Sequence, residues 1–174
     1  MKQLSKAISY YLRHAPHELG LQLQPGGWVE VADFLAGLQA RGYVCSPDDL
    51  AQLVAASDKQ RFSLEGQRIR ANQGHSVAVD LQLLPESPPA LLYHGTTARF
   101  LASILAQGLQ RGKRHHVHLS QDPDTARQVG RRHGPLILLE VDAATMSEQG
   151  LIFYRSANHV WLTDWVPPGC LREL

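Results

Sequence analysis

Leu84-Pro85-Glu86-Ser87-Pro88-Pro89 carries three prolines in six residues, and it separates two halves that read differently. Proline fixes φ, removes a backbone donor and biases the residue before it toward extended conformations, so this stretch supports neither a helix nor a central strand. It is read as a linker over 84–90, dividing a first domain (1–83) from a second (91–174). The fold class expected is α+β in two lobes.

Upstream of the linker the pattern is helical. Ser5 reads as the cap of a helix with Ala7, Ile8, Tyr11 and Leu12 at helical spacing, and Pro16 should end it near Ala15. Gly26-Gly27 turns the chain into a short extended piece, Trp28–Val31. A second helix carries Phe34, Leu35 and Leu38 and stops at Gly42. Ser46 as cap, Pro47 at the first helical position and Asp48-Asp49 at the positive end of the dipole start a third. Arg61–Leu64 and Arg68–Ala71 alternate polar and apolar around Glu65-Gly66, which reads as a hairpin. Three helices followed by a basic hairpin is the order of a winged helix.

Downstream the chain reads as strands with helices between them. Leu91–His94, Leu136–Val141, Ile152–Tyr154 and Val160–Thr163 are strand-like, and helices are expected over Phe100–Leu105 and Pro123–Val129. His94-Gly95-Thr96-Thr97 is placed where a strand turns into a helix. Between them, Arg111-Gly-Lys-Arg-His-His-Val-His-Leu-Ser120 holds six cationic or imidazole side chains and no carboxylate. Its second half alternates, with His116 and His118 on one face and Val117 and Leu119 on the other. Positive groups packed this closely repel one another unless an anion sits among them, and phosphate is the foremost candidate.

Composition narrows the classes. The formal net charge is +1, too small for wholesale coating of nucleic acid. Ala98–Arg132, however, holds seven Lys/Arg against Asp122 and Asp124, which suggests a local site. Two cysteines, Cys45 and Cys170, make no disulfide framework, and neither a membrane span nor a secretory h-region is present, so a cytoplasmic protein is expected. His94, His115, His116 and His118 raise a zinc hypothesis, but there is no HExxH or CxxC, and the neighbouring arginines oppose a dication; no metal is expected. Neither GxGxxG nor GxxxxGK[ST] occurs. Arg13-His14 could simply complement the dipole at a helix C-terminus, or form an arginine fork for phosphate beside a proton-transferring imidazole.

Taken in order, these pieces resemble one family. Ser5-Lys6, Leu12-Arg13-His14-Ala15-Pro16, Gly27-Trp28-Val29, Asp58–Phe62, Ile69–Ser76, His94-Gly95-Thr96, Arg114–Ser120, Val129–Gly134, and Asn158–Thr163 with Val166-Pro167-Pro168 resemble the RNA 2′-phosphotransferase family of the KptA type across nearly the whole chain. The resemblance implies a winged-helix-like lobe that holds an RNA 2′-phosphate and an ADP-ribosyltransferase-like lobe that holds NAD⁺, consumed as co-substrate without metal. The implied reaction joins the internal 2′-phosphate to the NAD⁺ ribose with loss of nicotinamide. Transesterification then releases ADP-ribose 1″,2″-cyclic phosphate and a 2′-hydroxyl RNA.

By matching motif, the implied catalytic group is Arg13, His14, Arg61 and Arg114, expected to meet around one phosphate. His94, Gly95, Thr96, Ser120 and His133 are the implied NAD contacts. His118 and Val160 fall where protein-modifying relatives place tyrosine and glutamate. RNA carrying an internal 2′-phosphate is the implied partner, and a monomer is expected. Two other readings stay open: a transferase that leaves ADP-ribose on phosphorylated nucleic-acid ends, and a winged-helix regulator without catalysis.

Overall fold

The structure, a computed structural model, describes residues 2–57, 59–130 and 135–174. Its chain falls into two compact units, Met1–Gln82 and Leu83–Leu174.

The first unit opens with α1 (Lys2–Arg13), a 3-10 turn (Pro16–Leu19) and β1 (Val29–Glu30), followed by α2 (Val31–Ala40), α3 (Pro47–Ala55), β2 (Phe62–Glu65) and β3 (Arg68–Ala71). The three strands form one antiparallel sheet in the order β1-β3-β2. Ile8 and Leu12 of α1, Phe34 and Leu38 of α2, Leu50 of α3 and Ile69 of β3 are fully buried in a shared core. Each such side chain removed from water contributes about 1.5–3 kcal/mol. Ser46 caps α3 as expected, and the cap is reciprocal: its hydroxyl accepts from the Asp49 N–H while the Asp49 carboxylate accepts from the Ser46 N–H. The β2–β3 loop is Gly66-Gln67, since Glu65 pairs with Arg68; Gly66 (φ 58°) takes the positive φ that a two-residue hairpin needs at its first central position.

Ser5 is no cap. Helix α1 already begins at Lys2, because Leu4 packs on the same core as Ala7, Ile8 and Tyr11, and starting the helix at Ser5 would forfeit that turn.

The second unit contains β4 (Leu91–Thr97), α4 (Ala98–Gln107), β5 (Leu109–Gln110), β6 (Val117–Leu119), α5 (Pro123–Gly130), β7 (Leu136–Asp142), α6 (Ala143–Glu148), β8 (Phe153–Arg155), β9 (Trp161–Thr163), β10 (Trp165–Val166), a 3-10 turn (Pro168–Cys170) and β11 (Leu171–Glu173). It is built from two three-stranded antiparallel sheets, β11-β7-β4 and β6-β9-β8, and a β10-β5 ribbon. A bridge between Tyr93 and Ser120 ties β4 to the end of β6. Leu92, Leu119, Leu139, Val141, Met146, Phe153 and Val166 form its core. No helix among the described residues is long and apolar enough to cross a membrane.

One expectation needs correction here. Strand β4 does not end at His94: it pairs with β7 residue by residue, from Leu91↔Asp142 to Thr97↔Leu136, so Gly95 and Thr96 are strand residues. The proline-bearing segment has local partners. Glu86 donates its N–H to the Phe153 carbonyl (2.9 Å) and its carboxylate pairs with Arg155 (2.9 Å), which attaches the segment to β8.

Candidate active site

In the first unit the functional candidates lie at the end of α1 and the edge of the hairpin. Arg13 is the last residue of α1, and His14 follows it with its N–H bonded to the Tyr10 carbonyl (2.9 Å). Packing of Ile8, Leu12 and Ala15 into the core fixes where this helix end sits. Both residues touch the segment that leaves β3. The Ser76 N–H donates to the Arg13 carbonyl (2.9 Å), and Ser76 Oγ lies 2.8 Å from His14 Nδ1. Gly74 is buried at φ +88°, and a Cβ there would stand 3.2 Å from Arg13 Nε and 3.3 Å from Cζ. The Arg13 side chain therefore lies close against a backbone position, at positive φ, that favours glycine.

Arg61 is held by the same segment. Its carbonyl accepts from the Asn72 N–H (2.8 Å), and its own N–H donates to Ser57 Oγ (3.3 Å). Asn72 is 5% exposed and satisfied on both sides: it donates to the Gln60 carbonyl (2.7 Å) and accepts from Ser63 Oγ (2.7 Å). Gln60, just before Arg61, has φ 47°, a left-handed conformation that costs a non-glycine residue about 1 kcal/mol unless its surroundings hold it. The structure thus brings Arg13, His14 and Arg61 onto one short segment. Asn72, Gly74 and Ser76 lie in the Ile69–Ser76 block that carries the family resemblance, but no role was assigned to them from the sequence.

In the second unit, β4 and β6 gather the remaining candidates. His94 Nδ1 lies 3.0 Å from the His118 carbonyl, which can only accept, so Nδ1 carries a proton and the neutral ring has an acceptor at Nε2. Arg114 Nη1 lies 3.1 Å from His118 Nδ1; guanidinium only donates, so that nitrogen of His118 holds a lone pair. Arg114 keeps solvent exposure, yet the protein around it strips enough water to lower its hold on its proton. It stays cationic, because a guanidinium starts far above neutral pH. No carboxylate among the described residues pairs with it in a salt bridge. Ser120 exchanges two backbone bonds with Tyr93 (2.8 and 2.9 Å), which sets it beside His94. Leu119 pairs with Trp161, so Ser120 and Val160 lie at the same end of the β6–β9 ladder.

Gly95 and the buried Thr96 continue β4 beyond His94. His133 lies outside the described residues. His116 stands apart: it packs on Tyr154, burial lowers its proton affinity, and Asp164 at 3.9 Å opposes that only in part. Among the described residues, no three His, Cys, Asp or Glu side chains cluster as metal ligands.

The family model for RNA 2′-phosphotransferase, Tpt1/KptA family, matches residues 1–165. The chain belongs to that family. Among similar proteins, one from Hahella chejuensis is 51% identical over 176 residues, covering 100% of this chain and 95% of the relative. One from Trichormus variabilis is 51% identical, covering 99% and 96%. One from Streptomyces coelicolor is 51% identical, covering 98% and 93%. Each is named a probable RNA 2′-phosphotransferase. Every candidate residue described above lies inside the stretch matched by the Tpt1/KptA family model.

Proposed function

We propose that this protein removes an internal 2′-phosphate from RNA by transferring it to NAD⁺, in two steps that pass through an ADP-ribosylated 2′-phosphate. The products are nicotinamide, ADP-ribose 1″,2″-cyclic phosphate and RNA with a free 2′-hydroxyl. The observation that carries the reading is the convergence of Arg13, His14 and Arg61 on one segment of a chain that belongs to the RNA 2′-phosphotransferase family.

The groups fit that chemistry. Two guanidiniums present planar forks that match phosphate oxygens and stay charged at any working pH. They stabilise charge building on phosphorus during the second step. His14 would protonate the departing RNA 2′-oxygen, since an imidazolium can give up a proton to it.

In the second unit a dinucleotide has suitable partners. Nε2 of His94 offers an acceptor to a ribose hydroxyl, since Nδ1 is committed to the His118 carbonyl. Arg114, without a carboxylate partner in a salt bridge among the described residues, offers a cation to an anionic ligand of this unit. NAD⁺, when bound, supplies the electrophilic ribose carbon and nicotinamide as leaving group. Val160, where protein-modifying relatives place a glutamate, brings no general base, and an anionic 2′-phosphate needs none to attack. The two-lobed description, winged-helix-like followed by ADP-ribosyltransferase-like, belongs to the same proposal.

The test is substrate dependence of nicotinamide release. Protein with NAD⁺ and an oligoribonucleotide bearing one 2′-phosphate should release nicotinamide stoichiometrically with that phosphate, and the matched 2′-hydroxyl oligonucleotide should release none. Release that ignores the 2′-phosphate, or no release with either, rejects the reading.

A further inference from the structure

The segment that leaves β3 is polar, yet Asn72, Gln73, Gly74 and His75 are all buried. Burying polar groups in a loop is costly unless something compensates. Much of what this segment does is hold the side chains of Arg13 and His14 and the backbone at Arg61. Asn72 bonds the carbonyls of Gln60 and Arg61, Gly74 lies against the Arg13 guanidinium, and Ser76 bonds both Arg13 and His14. Ser76 is itself exposed, so water could satisfy its hydroxyl and folding alone does not require the bond to His14.

We propose that Ser76 and Asn72 are positioning residues of the phosphate site, Ser76 orienting the His14 imidazole and Asn72 holding the backbone at Arg61. The inference rests on the reading of Arg13, His14 and Arg61 as the phosphate-handling group.

The chemistry at His14 follows from the inventory of a hydroxyl, which both donates and accepts. With Ser76 Oγ accepting from Nδ1–H, the proton that leaves an imidazolium is the one on Nε2. As the ribose 2″-oxygen bonds to phosphorus and releases its proton to solvent, the bond from phosphorus to the RNA 2′-oxygen breaks, and its electron pair goes to that 2′-oxygen, which takes the Nε2 proton. The N–H electron pair stays on Nε2, and the ring keeps its anchor at Nδ1 throughout. At Arg61, the Asn72 amide holds Gln60 in its left-handed conformation, which sets the direction in which the next residue leaves the backbone.

The experiment compares Ser76→Ala, Ser76→Thr and wild type in single-turnover decay of the ADP-ribosylated RNA, with His14 followed by nitrogen-15 NMR. Loss of one hydrogen bond to a reacting group should slow decay in S76A about tenfold, with KM in a separate steady-state assay unchanged. The threonine variant should recover most of the rate, and the neutral His14 tautomer should shift from Nδ1–H toward Nε2–H only in S76A. Decay of S76A at the wild-type rate, S76T as slow as S76A, or a His14 spectrum unchanged by S76A overturns the role of Ser76. Asn72→Asp, near-isosteric but lacking the donor to the Gln60 carbonyl, should also lose about tenfold in rate while remaining folded by circular dichroism; a folded N72D with full activity overturns the role of Asn72. If wild type fails to turn over 2′-phosphorylated RNA, the functional reading falls instead, and the NMR arm still decides whether Ser76 orients His14.

Discussion

Gly74→Ala is the sharpest perturbation of the proposed phosphate site, because the structure supplies its own control. Gly74 sits at φ +88° and Gly42 at φ +89°, so alanine at either position meets the same backbone penalty. That penalty is about 1 kcal/mol for an L-residue held in the left-handed region. The two differ in what the new methyl meets. At Gly42 nothing lies within 4 Å, whereas at Gly74 the methyl stands 3.2 Å from Arg13 Nε, 3.3 Å from Cζ and 3.4 Å from Cδ. Relieving that contact moves a flexible guanidinium by a few tenths of an ångström, which adds little to instability but shifts a charge proposed to meet phosphate. A misplacement of about 1 Å costs on the order of a hundredfold in rate, so a smaller shift should cost about tenfold. Urea unfolding followed by circular dichroism should show both variants less stable by about 1 kcal/mol. Single-turnover dephosphorylation should show G42A at the wild-type rate and G74A about tenfold slower. Equal activity in the two variants would refute the claim that Gly74 sets the place of Arg13.

Three further outcomes follow from the same geometry. Arg13→Ala, His14→Ala and Arg61→Ala should impair the second step more than the first, so that ADP-ribosylated RNA accumulates on a gel; if these variants never form the adduct, the trio acts earlier than assigned. Arg114→Lys keeps a positive charge but loses the planar fork and the fixed donor 3.1 Å from His118 Nδ1, and turnover should fall about a hundredfold. A lysine variant within threefold of wild type (roughly 0.6 kcal/mol) would show that charge alone suffices. His116 has its proton affinity lowered from the ordinary value of 6.5, chiefly by burial, so the unfolded chain binds that proton more readily than the folded one. Stability should therefore fall as pH drops from 6.5 through the depressed folded value, and be flat above 6.5 with respect to this group. Urea midpoints of His116→Gln should lack that component of the slope; an unchanged slope would remove His116 as its source.

How much of this was legible in the sequence depends on how local its cause is. The start of α3 was readable, because Ser46, Pro47 and Asp49 act within one turn of one another. The hairpin was readable because Phe62, Leu64, Ile69 and Ala71 alternate around a glycine turn, although the turn itself is one residue later than expected. Strand β4 was read too short because its length is set by β7, forty residues away, and nothing in His94-Gly95-Thr96-Thr97 announces a partner. Two-residue strands such as β5 and β10 carry no period long enough to detect. Arg13, His14, Arg61 and Arg114 were recognisable through family resemblance, whereas their chemistry alone admitted a plain reading as exposed cations. What holds the first three was hidden for a physical reason. Gly74 contacts a side chain sixty-one positions earlier in the chain, and Ser76 one sixty-two positions earlier, and no spacing rule spans such distances.

The central claim is that the 2′-phosphate leaves RNA by way of NAD⁺, and the mass of the recovered RNA tests it most directly. After incubation with NAD⁺ and no added metal, an oligoribonucleotide carrying one internal 2′-phosphate should return lighter by that single phosphate, with ADP-ribose cyclic phosphate in solution. RNA recovered unchanged, or heavier by a retained ADP-ribose, would contradict the account.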